Sequence, residues 1–481
     1  MRENDMSEDT CDSRIPSGRF DVAAFLDALH FTPFHKLLIG LSCLVTLFDG
    51  LDFLLISYTV PYIRDEMGLA DSMIGMVISA GVAGQMIGAL GCSFIADRIG
   101  RKPVIAICTF FCAILTFLTG FATSAEALMI IRFFGGLMIG GLLPVAWALN
   151  IEAMPPGRRA TAVAVIMFGF SLGGSLAGPV TNLLAPDYGW HMVYFASGVA
   201  TLIVSLILIA ALPESVRFLV TRGAHRARVE KALRRFAPTF DGSQVERYVL
   251  GDERTEAGSR SLAAIFRELF RGPLAVMTPL IWAAYFASSI AIFLKSSLGA
   301  VFLEELGIAR QSAAWIGAVG GLSGAIAGVL LLRFTESKGP KWIAIFPALA
   351  IPFLLAVGLG LDSGPLFIPV ILIGSILVGG GHASVISIAS IYYPSAIRSS
   401  AGGWASFIAK IGATLAPMIG SLFLSSSANV LRAYILSAGC MVGIVLCILG
   451  LAHFARRLKP GDVPAAEANR AEDPEAEAVA A

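Results

Sequence analysis

The sequence predicts an all-α integral membrane protein with twelve transmembrane helices in two six-helix halves that repeat one another. The first observation is the composition: 56% of the 481 residues are hydrophobic and 14% are charged, against roughly 25% charged residues in soluble domains. The mean hydropathy is +0.77. These values exclude an ordinary soluble enzyme and a disordered chain, and the formal charge of +1 provides no field that would attract nucleic acid.

The second observation is the recurrence of apolar stretches of roughly 20 residues, the length needed to cross a bilayer. One long polar segment, 213–272, separates six such stretches from six more. We therefore predict an N-terminal half over 36–212 and a C-terminal half over 273–454. The predicted spans are 36–62, 72–96, 103–122, 127–149, 160–183, 191–212, 273–301, 312–333, 342–360, 366–391, 401–424 and 431–454.

The third observation is a set of motifs that recur in the second half at one constant offset. The matched pairs are Asp97 and Glu336, Gly100 and Gly339, Lys102 and Lys341, Pro155 and Pro394, Arg159 and Arg398, and Gly173 and Gly412. An even number of spans separates the copies, so the two halves have the same orientation. Parallel repeats around a central cavity are typical of transporters that open alternately to the two sides.

The orientation follows from the basic residues between the spans, because connections rich in Lys and Arg remain cytoplasmic. Only three Lys or Arg residues fall in connections on one side, namely Arg64, Arg310 and Arg432. We predict that this side is the outer one and that both termini are cytoplasmic. The tail, 455–481, is rich in Ala and Glu and is predicted to be disordered.

Two short surface helices are predicted outside the spans. The N-terminal segment, 1–35, lacks the apolar core of a secretory signal and contains one amphipathic stretch, which we expect to lie on the membrane surface. Its apolar face consists of Val22, Phe25, Leu26 and Leu29. In the central segment, the sequence HRARVEKALRR at 225–235 predicts a basic helix that faces solvent or lipid headgroups, or alternatively binds a regulator.

Five charged side chains lie within the predicted spans: Asp49, Asp52, Arg132, Lys295 and Lys410. Each costs about 2.5–3.5 kcal/mol at the centre of a spanning helix on insertion scales. They therefore need a partner, water or a ligand, and they are the primary candidates for function.

Asp49 and Asp52 are three residues apart and project from the same side of a helix. Mutual repulsion and burial favour proton binding to such a pair, which makes them candidate proton carriers. The alternative is that one of them pairs permanently with Arg132. Arg132 itself either tunes the proton affinity of a nearby acid or holds Glu152 or an aspartate in place.

Four residues of the second half are candidates for substrate binding. Lys295 and Lys410 are ammonium groups that a carboxylate could neutralise, although Lys295 could instead extend to the outer surface. His382 can bond a hydroxyl or carboxylate, or merely a neighbouring helix. Trp404 could stack on an aromatic ring, or serve only in packing.

The remaining chemistry-bearing residues indicate neither an enzyme nor a metal site. Six of the seven cysteines fall in apolar runs without metal-ligand spacing. The spans contain no nucleophile–base set, no His cluster and no phosphate loop. We therefore expect no cofactor, no metal and no enzymatic activity.

The loop ADRIGRK at 96–102 resembles the signature loop of the major facilitator superfamily, although Ser93 stands where that signature usually begins with Gly. The resemblance implies the twelve-helix fold of that superfamily and a functional monomer. It also implies a gating loop whose charges bridge neighbouring helices and hold the inner side closed. Its residues are Asp97, Arg98, Gly100, Arg101 and Lys102.

Other segments resemble the aromatic acid:proton symporter family. They are FDGLD at 48–52, PESVRF at 213–218, YYPSAIR at 392–398 and AKIGATLAP at 409–417. The resemblance implies that Asp49 and Asp52 are required for transport. It places Lys410 at a substrate-handling position that is usually Arg, and Glu152 at an acidic position of the inner gate.

Two departures from that family concern the substrate. The sequence reads LKSSLGA at 294–300, where the family commonly has Asn followed by Trp-Leu-Pro, and His382 stands where Gln is more usual. Both changes are toward basic residues. They predict a larger or more acidic aromatic substrate than a simple hydroxybenzoate.

The resemblance implies a proton-coupled symporter that imports an aromatic carboxylate, hydroxybenzoate-like or lignin-derived, across a bacterial inner membrane. Its expected partners are this acid, protons and the lipid bilayer. A first alternative is a proton-driven exporter of drugs or organic acids, because GFSLGGSLAGP at 169–179 loosely resembles an element of antiporters. A second alternative is a sensor that binds without transport.

Overall fold

The computed structural model describes residues 14–15, 19–243, 245–251, 266–338, 340–361, 364–393 and 397–457. Within these ranges, ten helices are long and apolar enough to cross a membrane. The predicted disordered tail lies mostly outside the described residues. So do Gly339 and Pro394 of the second set of repeated motifs, and the side chains of Glu336 and Arg398.

The described residues of the first half and the central segment include eight α-helices. They are α1 (Val22–Ala28), α2 (Pro33–Met67), α3 (Asp71–Ile99), α4 (Arg101–Thr119), α5 (Ala125–Ala153), α6 (Arg159–Ala211), α7 (Val216–Thr221) and α8 (Arg226–Phe236). The described part of the second half contains seven more. They are α9 (Leu274–Glu305), α10 (Arg310–Lys338), α11 (Ile345–Gly358), α12 (Phe367–Val385), α13 (Ile388–Tyr392), α14 (Arg398–Ser421) and α15 (Ser427–Arg457).

The ten apolar helices are consistent with twelve spans. Helix α6 is 53 residues long and bends at Gly189, where φ is 78°, so that it covers the fifth and sixth predicted spans. Helix α14 has 24 residues and coincides with the eleventh predicted span. It is less apolar than the ten because it contains Lys410 and the adjacent pair Gly402 and Gly403.

Local sequence explains where the first spanning helix begins and ends. Thr32 precedes it as N-cap, its backbone N–H donates to His35 Nδ1 at 3.1 Å, and Pro33 supplies a favourable first residue. The helix ends at Gly68, whose φ of 62° is the left-handed conformation that glycine adopts without strain. This is a sequence-encoded boundary at both ends.

Glycines bring the helices of the first half into close contact. A Cβ atom on Gly173 of α6 would overlap the backbone of Leu47 in α2, and one on Gly88 of α3 would overlap the backbone of Leu137 in α5. Small residues at such crossings allow the tight packing that drives helix association in membranes. The glycine-rich stretch 169–179 therefore has a packing role on α2.

A small three-stranded sheet joins the N-terminal segment to the central segment. Strand β1 (Arg14–Ile15) is antiparallel to β2 (Arg19–Asp21), and β2 is parallel to β3 (Arg247–Val249). One carboxylate oxygen of Asp21 accepts from the N–H of Ala23 (2.9 Å), at the start of α1, and from that of Gly251 (3.0 Å). The Asp21 side chain thus connects the start of α1 to the residue that follows β3.

The two predicted surface helices both form, but their surroundings differ from the prediction for α1. Val22 and Leu26 are fully buried in a protein core with Phe236 and Phe240, so the apolar face of α1 packs on protein and not on lipid. Helix α8 has Val229 and Leu233 beneath it, as predicted. On its exposed side, the adjacent Arg226 guanidinium holds the pKa of Glu230 below its usual range.

Candidate functional site

The first half contains a buried ion pair between two of the predicted residues. Asp52 and Arg132 have exposed fractions of 3% and 6%, and Arg132 Nη1 lies 3.3 Å from Asp52 Oδ2. The other carboxylate oxygen, Oδ1, accepts from the hydroxyl of Thr116 at 2.5 Å. Among the partners considered for Arg132, the structure shows Asp52; whether Arg132 tunes the proton affinity of an acid stays a prediction.

Asp49, by contrast, is buried without a hydrogen-bond partner. Its exposed fraction is 2%, and neither carboxylate oxygen has a partner among the residues that the structure describes. It interacts electrostatically with Asp52 and with Lys410 of the second half. A carboxyl group in this setting is most stable when it is neutral or faces a cation.

Lys410 connects the two halves. Its Nζ donates to the side-chain oxygen of Gln85 on α3, and four residues along α14, the carbonyl of Thr414 accepts from Ser79 at 2.7 Å. His382 lies within electrostatic range of Lys410 and forms a helix–helix hydrogen bond with Ser288 at 2.9 Å. Lys410 is therefore at the interface between the halves.

Lys295 lies apart from this group, in a separate cavity. Helix α9 extends to Glu305, four residues past the predicted end of the seventh span, so Lys295 lies about 15 Å from the helix terminus at 1.5 Å per residue. Its Nζ donates to the carbonyl of Ser375 at 3.0 Å. The alternative that Lys295 extends to the outer surface is wrong, because its ammonium group bonds inside the protein.

The cavity lies between the halves. Tyr58 and Ser175 line it from the first half, and Lys295, Ser375 and Tyr434 line it from the second. The rest of its wall is mainly aliphatic. A concave, mostly apolar space with a few converging polar groups is typical of small-molecule sites.

Trp404 packs in an aromatic cluster near the inner end of the second half. Its ring centroid is 5.2 Å from that of Phe266 and 6.2 Å from that of Trp282. This arrangement corresponds to the packing alternative. A role for Trp404 in substrate binding stays a prediction.

The gating loop forms a network within the first half and the central segment. Arg101 lies 2.8 Å from Glu152 of α5 and 3.1 Å from Asp97 of α3, and Arg98 lies 4.4 Å above the ring of Phe94. Glu152 also accepts from the hydroxyl of Ser215. The network thus connects α3, α5 and the start of the central segment.

Glu214, which follows α6, completes this network at the turn between α3 and α4. Its carboxylate accepts from the backbone N–H groups of Arg101 (2.9 Å) and Lys102 (3.3 Å). Gly100 makes the turn with a φ of 109°, and a Cβ there would overlap Glu214. This explains why the motif needs glycine at that position.

An ion cluster also joins the two halves at the predicted outer side, and we call it the interhalf ion cluster. Arg64 of α2 lies 2.8 Å from Glu305 of α9, and Arg310 of α10 lies 2.8 Å from Asp65 and 2.5 Å from Glu304. All five members lie at helix ends, at positions that the sequence analysis assigned to the connections between spans. These pairs hold α2 against α9 and α10.

Three features of the site were not identified from the sequence. They are Gln85, Thr116 and the interhalf ion cluster. Gln85 and Thr116 are uncharged, and a buried amide or hydroxyl in a span is a much weaker signal than a charge. The polar Gln85 within the apolar run AGVAGQMIGA was the available sign.

Comparison with known proteins identifies the family of this chain. A model of the Major Facilitator Superfamily matches residues 42–417, which is well over half of the chain. The chain belongs to the Major Facilitator Superfamily. It is accordingly a multi-pass membrane transporter and not an enzyme.

Similar proteins within this superfamily carry names that refer to aromatic acids. The 4-hydroxybenzoate transporter PcaK of Pseudomonas aeruginosa is 30% identical over 89% of this chain and 95% of its own length. A gallate transporter of Pseudomonas putida is 29% identical over 91% of this chain and 94% of its length. These relatives agree with the resemblance drawn from the motifs.

Solved structures support the same fold at lower sequence identity. A bacterial homologue of the human lysosomal transporter Spinster aligns with a TM-score of 0.68 at 17% identity, covering 90% of this chain and 100% of that chain. The xylose transporter XylE of E. coli aligns with a TM-score of 0.68 at 16% identity, covering 90% and 99%. The twelve-helix major facilitator fold is thereby supported.

Proposed function

We propose that this transporter is a proton-coupled symporter that imports an aromatic carboxylate across the bacterial inner membrane by alternating access. The observation that carries the proposal is Asp49, a buried carboxylate without a hydrogen-bond partner in the described part of the chain. It lies near Lys410, which bonds across the interface between the halves. Similarity to the 4-hydroxybenzoate and gallate transporters supports the substrate class.

Coupling follows from the energetics of this carboxyl group. A monoanion that enters a cell is opposed by about 2.3 kcal/mol per 100 mV of inside-negative potential, so uptake needs a driving ion. A proton on Asp49 neutralises a buried charge beside the interface and permits the halves to close over the bound substrate. Loss of that proton to the cytoplasm then completes the cycle. Asp52 stays paired with Arg132 and keeps α2 in position.

The test is uptake of labelled aromatic acids, from benzoate and protocatechuate to lignin-derived biaryls, into proteoliposomes with an imposed pH gradient. We expect wild-type accumulation that a protonophore abolishes. Asp49→Asn should lose gradient-driven accumulation but retain exchange of labelled for unlabelled acid, because exchange does not require net proton movement. Correctly folded Asp49→Asn that still accumulates substrate would contradict the assignment of Asp49.

The direction of transport is tested separately in everted vesicles. An importer and an exporter accumulate substrate on opposite sides of the membrane under the same gradient. Accumulation inside everted vesicles, driven by protons leaving them, would identify an exporter. No uptake of any acid by folded protein would contradict the proposed substrate class.

A further inference from the structure

Two partly buried lysines, Lys295 and Lys410, lie between the halves, but their environments differ in one respect that matters for anion binding. Lys410 bonds to the Gln85 side chain and lies near the carboxyl group of Asp49. The protein itself thus supplies an acid to Lys410. An ammonium group that already faces a carboxyl group is poorly suited to bind a second one from a substrate.

Lys295 has no such acid. Its Nζ donates to the carbonyl oxygen of Ser375, which is neutral and uses one of three ammonium donors. Among the described residues that line the cavity, Lys295 carries the only formal charge. A buried cation without an anion is costly, so this cavity is built to receive a negative group.

The same cavity holds hydroxyl groups that are free to bond a ligand. Tyr58 of α2 and Tyr434 of α15 both line it and are largely buried. Within the described ranges, neither phenol oxygen has a hydrogen-bond partner in the protein. Buried Tyr hydroxyls usually have one, so a ligand that carries hydroxyl or methoxy groups would fill this role from both halves.

We propose that Lys295 binds the carboxylate of the transported aromatic acid in this cavity, and that Tyr58 and Tyr434 bond its ring substituents. This inference rests on the proposed function and assigns different roles to the two lysines. Lys295 recognises substrate, whereas Lys410 serves the proton site with Asp49. Since Tyr58 and Lys295 belong to different halves, the bound acid itself draws the halves together.

The experiment compares aromatic acids with their amides, which have the same ring and lack the charge. Titration calorimetry on the purified full-length protein measures the dissociation constant of each acid and its amide, beginning with 4-hydroxybenzoate and 4-hydroxybenzamide. We expect at least tenfold preference of the wild type for the acid. Lys295→Met should bring this ratio close to one, and Lys295→Arg should restore most of it.

Two further variants serve as controls. Lys410→Met should keep the preference for the acid while losing gradient-driven accumulation in proteoliposomes. Lys341→Met removes an exposed lysine and should change neither measurement. Thermal unfolding of each variant confirms that it is folded.

The outcomes separate this inference from the proposed function. If Lys295→Met keeps the acid preference, or if Lys410→Met abolishes it, the assignment of Lys295 is overturned. If the wild type binds acids through Lys295 but accumulates none, the inference stands and the proposed symport falls. If the folded wild type binds no acid, both fall.

Discussion

At the scale of single residues, the two aspartates of α2 have different surroundings although they are three residues apart. Asp52 is bonded by both Arg132 and Thr116, whereas Asp49 has no partner in the described part of the chain. Asp52 already has a cation and a hydroxyl as partners, whereas Asp49 has neither among the described residues. We therefore propose a structural role for Asp52 and a transport role for Asp49.

Removing Arg132 should destabilise the protein strongly. Arg132→Met leaves the Asp52 carboxylate buried without its cation, and breaking a buried pair in this way costs about 3–5 kcal/mol. The double variant Arg132→Met, Asp52→Asn should recover much of that loss, because no charge remains buried. The measurement is a double-mutant cycle on thermal or denaturant unfolding in detergent. Additive losses would show that the two side chains do not interact.

The charged residues of this site were predictable from sequence, but their pairing was not. A charge within an apolar span stands out because burying it is costly, which is how Asp52 and Arg132 were found. Glu152 lies on the same helix as Arg132, about 30 Å further along its axis, and is out of its reach. Whether Arg132 meets Asp49 or Asp52 depends on how α5 packs on α2, and no local pattern encodes that packing. Gln85 is uncharged, so its contact with Lys410 became visible only in three dimensions.

At the scale of elements, the spanning helices were predictable and the small sheet was not. Apolar length alone identifies a span, and even the bend in α6 fell at the predicted boundary between the fifth and sixth spans. The strands β2 and β3 contain three residues each, too few for an alternating pattern to be recognised. The apolar face of α1 packs with Phe236 and Phe240, which are more than 200 residues away in sequence. No local pattern reveals that contact, so the face was assigned to the membrane surface.

Alanine substitutions at two glycines of α3 should have different effects on stability, because only one of these glycines lies at a close helix contact. Gly88→Ala should destabilise the protein by about 1–3 kcal/mol, the usual cost of overpacking, because the new methyl group would overlap Leu137. Gly91→Ala is the matched control, since a Cβ there has no atom within 4 Å. Unfolding in detergent measures both. Equal stability of the two variants would contradict the observed α3–α5 contact.

At the scale of the whole molecule, the interhalf ion cluster joins α2 to α9 and α10, next to the cavity-lining residues Phe302 and Leu303 of α9. Arg64 and Glu305 are partly exposed, with exposed fractions of 20% and 25%. Pairs of this kind contribute about 0–1 kcal/mol each and weaken with salt. Such modest energies suit a contact that must break and form again in every transport cycle.

Weakening the cluster should therefore shift the protein toward the state open at the Arg64 end. In Arg64→Gln, Arg310→Gln we expect faster reaction of a cysteine introduced at Ser175 with a membrane-impermeant thiol reagent, by about 5–30-fold if the two changes together contribute 1–2 kcal/mol. The parent without the introduced cysteine gives the background.

Arg432→Gln is the matched control for this double variant. Arg432 lies on the same predicted side and bonds Asn429 of its own helix at 3.0 Å, so its removal should not alter the labelling rate. High salt should accelerate labelling of the otherwise unaltered Ser175→Cys protein toward the rate of the double variant. Equal rates for all variants would show that the cluster does not hold the halves together.

The parallel pairing of β2 with β3 imposes an order on biosynthesis. Strand β2 leaves the ribosome before any spanning helix, whereas its partner follows α8, and 230 residues separate Asp21 from Gly251, which bonds it. The edge of β2 that pairs with β3 thus lacks its partner while the whole first half is synthesised. The three-stranded sheet can therefore close only after that half has been synthesised, just before α9 emerges.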